Sequence, residues 1–201
     1  MNTNDLLKQL AFIQEIDKLK YIQRRTKLFN SDRRENDAEH SWHLAMMTIV
    51  LANQSDKPID VLKVLKMVLI HDIVEIDAGD TFIFDTRKSH TNTDEERLAA
   101  NRIFGLLPNE QAEAFKAIWE EFETGETNEA KFARSMDRLE PLLQNASNQG
   151  GTWAEYNVTY NQVMEKQNIH QAISTSIAAY AENLINESVE KGILRKEDTH
   201  L

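Results

Sequence analysis

The stretch Val61-Leu62-Lys63-Val64-Leu65-Lys66-Met67-Val68-Leu69-Ile70-His71-Asp72-Ile73-Val74-Glu75 decides the fold and points to the chemistry. Its first ten residues are almost all of core type, and His71, Asp72 and Glu75 follow at once. Neighbours on a helix lie about 100° apart, so these three fall within roughly one 100° arc. Burying an imidazole and two carboxylates costs several kcal/mol unless something compensates them. A hydrogen bond within the His-Asp pair is one compensation; a divalent cation is the other.

Around this segment the chain reads as helix. A first helix is predicted over residues 4–20, where Leu6, Leu10, Ile13, Ile16 and Leu19 are close to helical spacing. A polar stretch rich in arginine follows from Arg24 to Asp37. Asn36 and Glu39 have capping-box spacing and open a second helix to about residue 53. The third is predicted over 58–77, with Pro58 at its start and Gly79-Asp80 at its end. A polar loop over 81–93, carrying Arg87, Lys88 and His90, has the length of a lid or binding loop. Further helices are expected over 94–104, 109–123 and 128–145, then a pair over 153–191 interrupted near Asn168. With 6 Gly, 3 Pro and no strand-turn-strand pattern, the expected architecture is one all-α bundle.

The bulk properties narrow the function. A chain of 201 residues suits one well-buried core, so a single domain over 1–201 is expected. A net charge of −10 argues against nucleic acid, whose binding needs clustered Lys and Arg. A small anionic substrate remains compatible, because a metal and a few local cations override the global field. The absence of cysteine removes disulfides, thiol nucleophiles and thiolate metal sites. Residues 1–5 lack a basic region leading into an apolar stretch, and no segment reaches membrane-spanning length; a cytoplasmic location is expected.

Four residues can make one metal site: His40, His71, Asp72 and Asp137, each on an expected helix among apolar residues. Two imidazoles and two carboxylates suit Mn, Fe(II), Co, Zn or Mg without discriminating among them. Pro141 has no N–H for the carbonyl of Asp137, so a local kink is expected at the candidate ligand, or simply a bend around the core.

The ordered pattern Glu39-His40-Ser41, His71-Asp72 with Glu75 and Gly79-Asp80, then Asp137 resembles that of HD-domain phosphohydrolases. More narrowly it looks like the small HD hydrolases that include bacterial 5′-deoxynucleotidases and oxetanocin-like phosphohydrolases. The likeness covers residues of about 20–145, with the C-terminal helices of about 153–191 beyond it. It implies an HD-domain helical bundle and one divalent metal ion held by His40, His71, Asp72 and Asp137. It implies removal of phosphate from a nucleoside 5′-monophosphate. In it Glu75 matches a proton-transfer carboxylate, Asp80 a residue that contacts the sugar or orients the site, and Arg25 an arginine on the substrate phosphate. Members that select deoxy sugars carry tryptophan after that arginine, where this chain has Thr26; a nucleoside monophosphate is therefore expected rather than a deoxynucleotide specifically.

The chemistry is coherent apart from the likeness. A water on a divalent cation is acidic enough to attack near neutral pH, a nearby carboxylate can take its proton, and Arg25 can grip phosphate oxygens through paired donors. Other HD chemistries fit less well. A di-iron oxygenase needs more histidines between the HD pair and Asp137, where only His90 lies. A guanosine tetraphosphate-type alarmone hydrolase and a non-catalytic nucleotide sensor complete the alternatives.

Secondary expectations concern other residues. His43 is read as a core histidine bonded to a backbone carbonyl, or a partner of the site. Arg24, Arg33 and Arg34 share the stretch of Arg25 and compete for phosphate. His170 and His200 are expected in loops or at the surface, the acidic stretch ending at Glu123 as a solvated face, and Trp42, Trp119 and Trp153 as core or interface anchors. A homodimer through Trp153, Tyr156, Tyr160, Ile173, Ile177, Tyr180 and Leu184 is expected from their apolar surface.

Overall fold

The computed structural model describes residues 3–84, 94–168 and 173–196. It is mostly helical, with one small hairpin. Helix α1 (Thr3–Ile16) runs into a 3-10 turn (Asp17–Tyr21), then strands β1 (Gln23–Lys27) and β2 (Arg34–Asn36) pair antiparallel. The hairpin departs from the expected absence of strands. Its register slips between Gln23 and Lys27, and its alternation is carried by Arg24, Arg25 and Thr26 rather than by apolar residues. A period-2 apolar signal was therefore missing. Two strands alone are marginal in water, and here Asn148 holds the turn: its amide donates to the Leu28 carbonyl at 2.8 Å and accepts from the Ser31 N–H at 3.1 Å.

Helix α2 (Asp37–Leu51) opens on the expected capping box, Asn36 accepting from the Glu39 N–H and Glu39 from the Asn36 N–H. Helix α3 (Val61–Ile70) starts later than expected. Asp60, not Pro58, is its cap, taking the N–H groups of Leu62 and Lys63 at 2.9 and 3.2 Å; a side-chain acceptor satisfies donors that proline cannot. The expected single helix to Asp77 is also broken. His71–Val74 winds as a 3-10 turn, followed by the short α4 (Glu75–Ala78), which Gly79 ends at φ 75°.

That tightened turn sits at a seam. Val64, Met67 and Val68 face one buried cluster with Leu44, Phe132, Met136, Trp153 and Ile185. Ile70, Ile73 and Val74 face a second with Phe12, Ile103, Phe104 and Trp119. The segment serves two cores on different sides, and the change of winding lets it do so.

Helices α5 (Asp94–Phe104), α6 (Asn109–Thr124) and α7 (Asn128–Ser147) follow, and α7 runs on through Pro141. The expected C-terminal pair is three helices: α8 (Gly151–Glu155), α9 (Tyr160–Gln167) and α10 (Thr175–Glu190). Asn168 does end α9, in the left-handed region. Among the described residues no helix is long and apolar enough to cross a membrane. Removing the α2 cap by Asn36→Ala is expected to lower unfolding stability by about 1 kcal/mol, read from the denaturant midpoint at unchanged slope.

Candidate metal centre and active site

His40 comes from the first turn of α2, His71 and Asp72 from the 3-10 turn, and Asp137 from the middle of α7. Tertiary packing brings all four together. His40 Nε2 lies 3.0 Å from Asp137 Oδ1 and 3.9 Å from Asp72 Oδ2. His71 Nε2 lies 3.7 Å from the same Asp137 oxygen and 3.0 Å from Asp72 Oδ1. Donor atoms of His40, His71 and Asp72 lie within 4.8 Å of one another. Ligand bonds of about 2.0–2.2 Å around one ion produce spacings of this order.

The outer nitrogens decide which way the imidazoles present their lone pairs. His71 Nδ1 sits 3.1 Å from the Val68 carbonyl, and His40 Nδ1 3.2 Å from Glu140 Oε2. Both acceptors place the proton on Nδ1, so both Nε2 lone pairs point at the cluster. His71 Nε2, despite its closeness to Asp72, is buried without a hydrogen-bond partner. Lone pairs and carboxylates facing one another need positive charge between them. In protein groups alone that demand appears as proton affinity. His71 is pushed up to about 9, Asp72 and Asp137 overriding burial. His40 is held well above its usual range, with burial and Arg24 opposing Asp137, Glu140 and Glu35. Asp137 is held far below its own, His40 and His71 overriding burial. A divalent cation answers the same demand, and these donors fit one.

Behind His40 lies a polar network that sequence reasoning missed. Glu35 Oε2 approaches His40 Nδ1 at 3.5 Å, Gln144 Nε2 donates to Glu35 Oε1 at 3.0 Å and also to Glu140, and His43 Nδ1 lies 3.4 Å from Glu140 Oε1. Burial raises the Glu35 carboxyl, while the two histidines override burial and draw Glu140 down to about 2. His43 thus meets a carboxylate, not the expected backbone carbonyl. The available signal for Glu140 was its i+3 position after Asp137 on one helix face.

Strand alternation assigns the arginines. Arg24 points inward, its Nη1 2.9 Å from Asp72 Oδ2 and 3.5 Å from Asp37 Oδ1. Arg25 is exposed, lines the mouth of the cavity near Asp80, and has no hydrogen-bonded or ion-paired side-chain partner among the described residues. Arg33 is taken by Glu39 and Arg34 by Glu155.

Beside the imidazole cluster, oxygens of Asp37, Glu75 and Asp80 lie within 4.8 Å of one another. In a 3-10 turn residues three apart eclipse, which sets Glu75 over Asp72. Burial, with Asp72, Asp37 and Asp80, holds the Glu75 carboxyl well above the ordinary range against Arg24. Burial and Asp72 push Asp37 up to about 7. Asp80 is raised by burial, with Arg24 opposing and Asp72 adding.

His71, Asp72, Glu75, Asp80 and Asp137 line a cavity of about 420 Å³ to which Phe82, Phe84 and Trp153 add an aromatic lining. Phe82 packs against Tyr156 with ring centroids 4.6 Å apart and planes tilted by 44°. Glu123 also lines it, contrary to the solvated face expected; burial and Glu96 push its carboxyl up to about 7. Arg87, Lys88, His90, His170 and His200 lie outside the described residues.

This helical frame with its His-Asp centre is that of an HD-type metal-dependent phosphohydrolase. The chain belongs to the HD domain family, whose sequence profile matches residues 16–177. It is similar to the crystal structure of a predicted metal-dependent phosphohydrolase from Magnetospirillum magnetotacticum. That likeness has 48% identity and a TM-score of 0.87, over 96% of this chain and 99% of that one. It is also related to human 5′-deoxynucleotidase HDDC2, 29% identical over 136 residues, which are 67% of this chain and 65% of the human protein. The fold is shared with the cyanophage S-2L HD phosphohydrolase DatZ, bound to dA and one catalytic Zn2+. There the identity is 18% and the TM-score 0.55, over 89% of this chain and 96% of that one.

Outer partners of metal-bound histidines typically matter about 10–100-fold for metal affinity. Glu140→Ala is expected to weaken divalent-ion binding by that factor, measured by metal titration with helicity unchanged.

Proposed function

We propose that this chain hydrolyses nucleoside 5′-monophosphates to nucleoside and phosphate. The observation that carries the reading is the convergence of His40, His71, Asp72 and Asp137 with Glu75 and Asp80 alongside and Arg25 at the cavity mouth. The naming of relatives as 5′-deoxynucleotidases supports it.

His40, His71, Asp72 and Asp137 would hold one divalent cation. Such an ion supplies a Lewis acid and makes water a stronger acid. Glu75 Oε2 is buried without a hydrogen-bond partner, and its high proton affinity suits it to take a proton from the attacking water. Arg24 holds Asp72 and Asp37 in place, favouring the charged form of Asp72 and opposing the rise that burial imposes on Asp37. Arg25 offers its fork to the phosphate, which needs planar paired donors more than a point charge. Asp80 accepts a sugar hydroxyl or orients the site. The aromatic lining of Phe82, Phe84 and Trp153 receives the base. Thr26 is buried against the cavity with Oγ1 lacking a hydrogen-bond partner, which supports acceptance of ribose as well as deoxyribose.

A homodimer is part of this reading, on different residues from those first expected. Trp153 and Ile173 are buried in the chain's own core and Tyr160, Ile177 and Leu184 pack against it, leaving Tyr156 and Tyr180 exposed. Trp42, Met46, Ile49 and Val50 instead form an exposed stripe on α2, Trp42 being 65% accessible.

Assayed with Mn, Co, Zn and Mg against ribo- and deoxynucleoside monophosphates, the parent is expected to release phosphate from both sugar classes within about tenfold. Glu75→Ala should lose at least about 100-fold in kcat while retaining metal, and Asp137→Ala should lose metal and activity together. Equal activity of Glu75→Ala and parent would remove its assigned role. Sedimentation should show a concentration-dependent dimer that Ile49→Glu dissociates; a parent monomeric at all concentrations refutes the dimer.

A further inference from the structure

A second cavity, of about 220 Å³, adjoins the first across a shared wall made by Arg134, Arg138, Gln167 and Asn168. Lys131, Arg134 and Arg138 are spaced i, i+3 and i+7 on α7, so one helical face presents three cations to it. The first turns of α10, through Ile177 and Ala178, close another side and add the partial positive charge of a helix N-terminus. No carboxylate lines it among the described residues, in a chain with 33 acidic residues against 23 basic.

The cations differ in what they already do. Arg134 Nη1 donates to the carbonyls of Phe122 and Glu123 at 3.4 and 2.6 Å and so secures the end of α6. Arg138 is half-buried and its side chain has no hydrogen-bonded or ion-paired partner among the described residues. Its backbone carbonyl is held instead, accepting from Gln167 Nε2 at 3.0 Å. A partly buried guanidinium beside another guanidinium, facing no acid in that cavity, is a group that an anion would complete. Among the described residues no ion pair joins Arg138 to Asp137, whose Oδ1 lies against His40 and His71.

We propose that this annex is a phosphoryl-binding site, with Arg138 as its principal ligand and Lys131 assisting. The ligand chemistry is a phosphate group, supplied either by free inorganic phosphate or by a second phosphate on a substrate that spans both cavities. The site stands independently of the proposed hydrolysis; only the substrate arm of its test rests on that reading.

The first arm titrates inorganic phosphate into the full chain stripped of metal by chelator, at low ionic strength, by calorimetry. One site is expected, its affinity at least about tenfold weaker in Arg138→Gln, several-fold weaker in Lys131→Gln, partly restored in Arg138→Lys, and unchanged in Arg33→Gln. No binding by the parent, or equal binding by Arg138→Gln, overturns the site. The second arm compares a nucleoside 3′,5′-bisphosphate with the 5′-monophosphate on the metal-loaded enzyme. A KM that rises in Arg138→Gln for the bisphosphate alone assigns the annex to substrate. Loss of inhibition by inorganic phosphate, with both KM values unchanged, assigns it to the free ion. If neither nucleotide turns over, the hydrolase reading falls, and the titration still decides the annex.

Discussion

The rest of the site depends on the balance of buried charge where α2, α7 and the turn at His71 meet. Carboxylates of Asp72 and Asp137 face two imidazoles whose outer nitrogens are already engaged, and Arg24 lies against Asp72 and Asp37. In a low-dielectric interior such a cluster is stable only when its charges are matched. Protons can match them, and so can a divalent ion. A divalent ion held by these residues would supply a Lewis acid, with Glu75, a carboxylate of high proton affinity, lining the adjoining cavity. Stability and chemistry are thus answers to one electrostatic demand.

Placement follows from the way the chain crosses from one core to the other. A regular α-helix would carry His71 and Asp72 past the centre on a single continuous face. The 3-10 turn changes the angle between residues, stacks Glu75 over Asp72 and sends the apolar residues on either side into different clusters. The hairpin supplies the remaining piece. Because β1 alternates, two adjacent arginines separate into a structural one that lies against Asp72 and Asp37 and an exposed one that lines the cavity.

Much of the centre was legible from residue type. Histidines and aspartates inside apolar helical stretches are costly unless they converge, and His40, His71, Asp72 and Asp137 do converge. The capping box of α2 was equally legible, because two side chains three positions apart suffice to make it. What escaped reading was made by contacts distant in sequence. Glu35 lies in a polar stretch and Glu140 between Leu139 and Pro141, and only the fold places both carboxylates against His40. Glu123 looked like part of a solvated acidic face until the packing of α6 turned it into the cavity. The hairpin left no apolar alternation to detect.

The sequence by itself determined the helical frame and the four side chains that converge, His40, His71, Asp72 and Asp137, because these rest on periodicity and on the cost of burying charge. Only the tertiary structure decided which arginine braces the centre, which carboxylates orient His40, and where the cations of α7 collect into an annex without an acid. Those are questions of direction. A side chain's direction is set by the strand pleat, the winding of a turn and the packing of helices, and none of these is encoded within the few residues that carry the group.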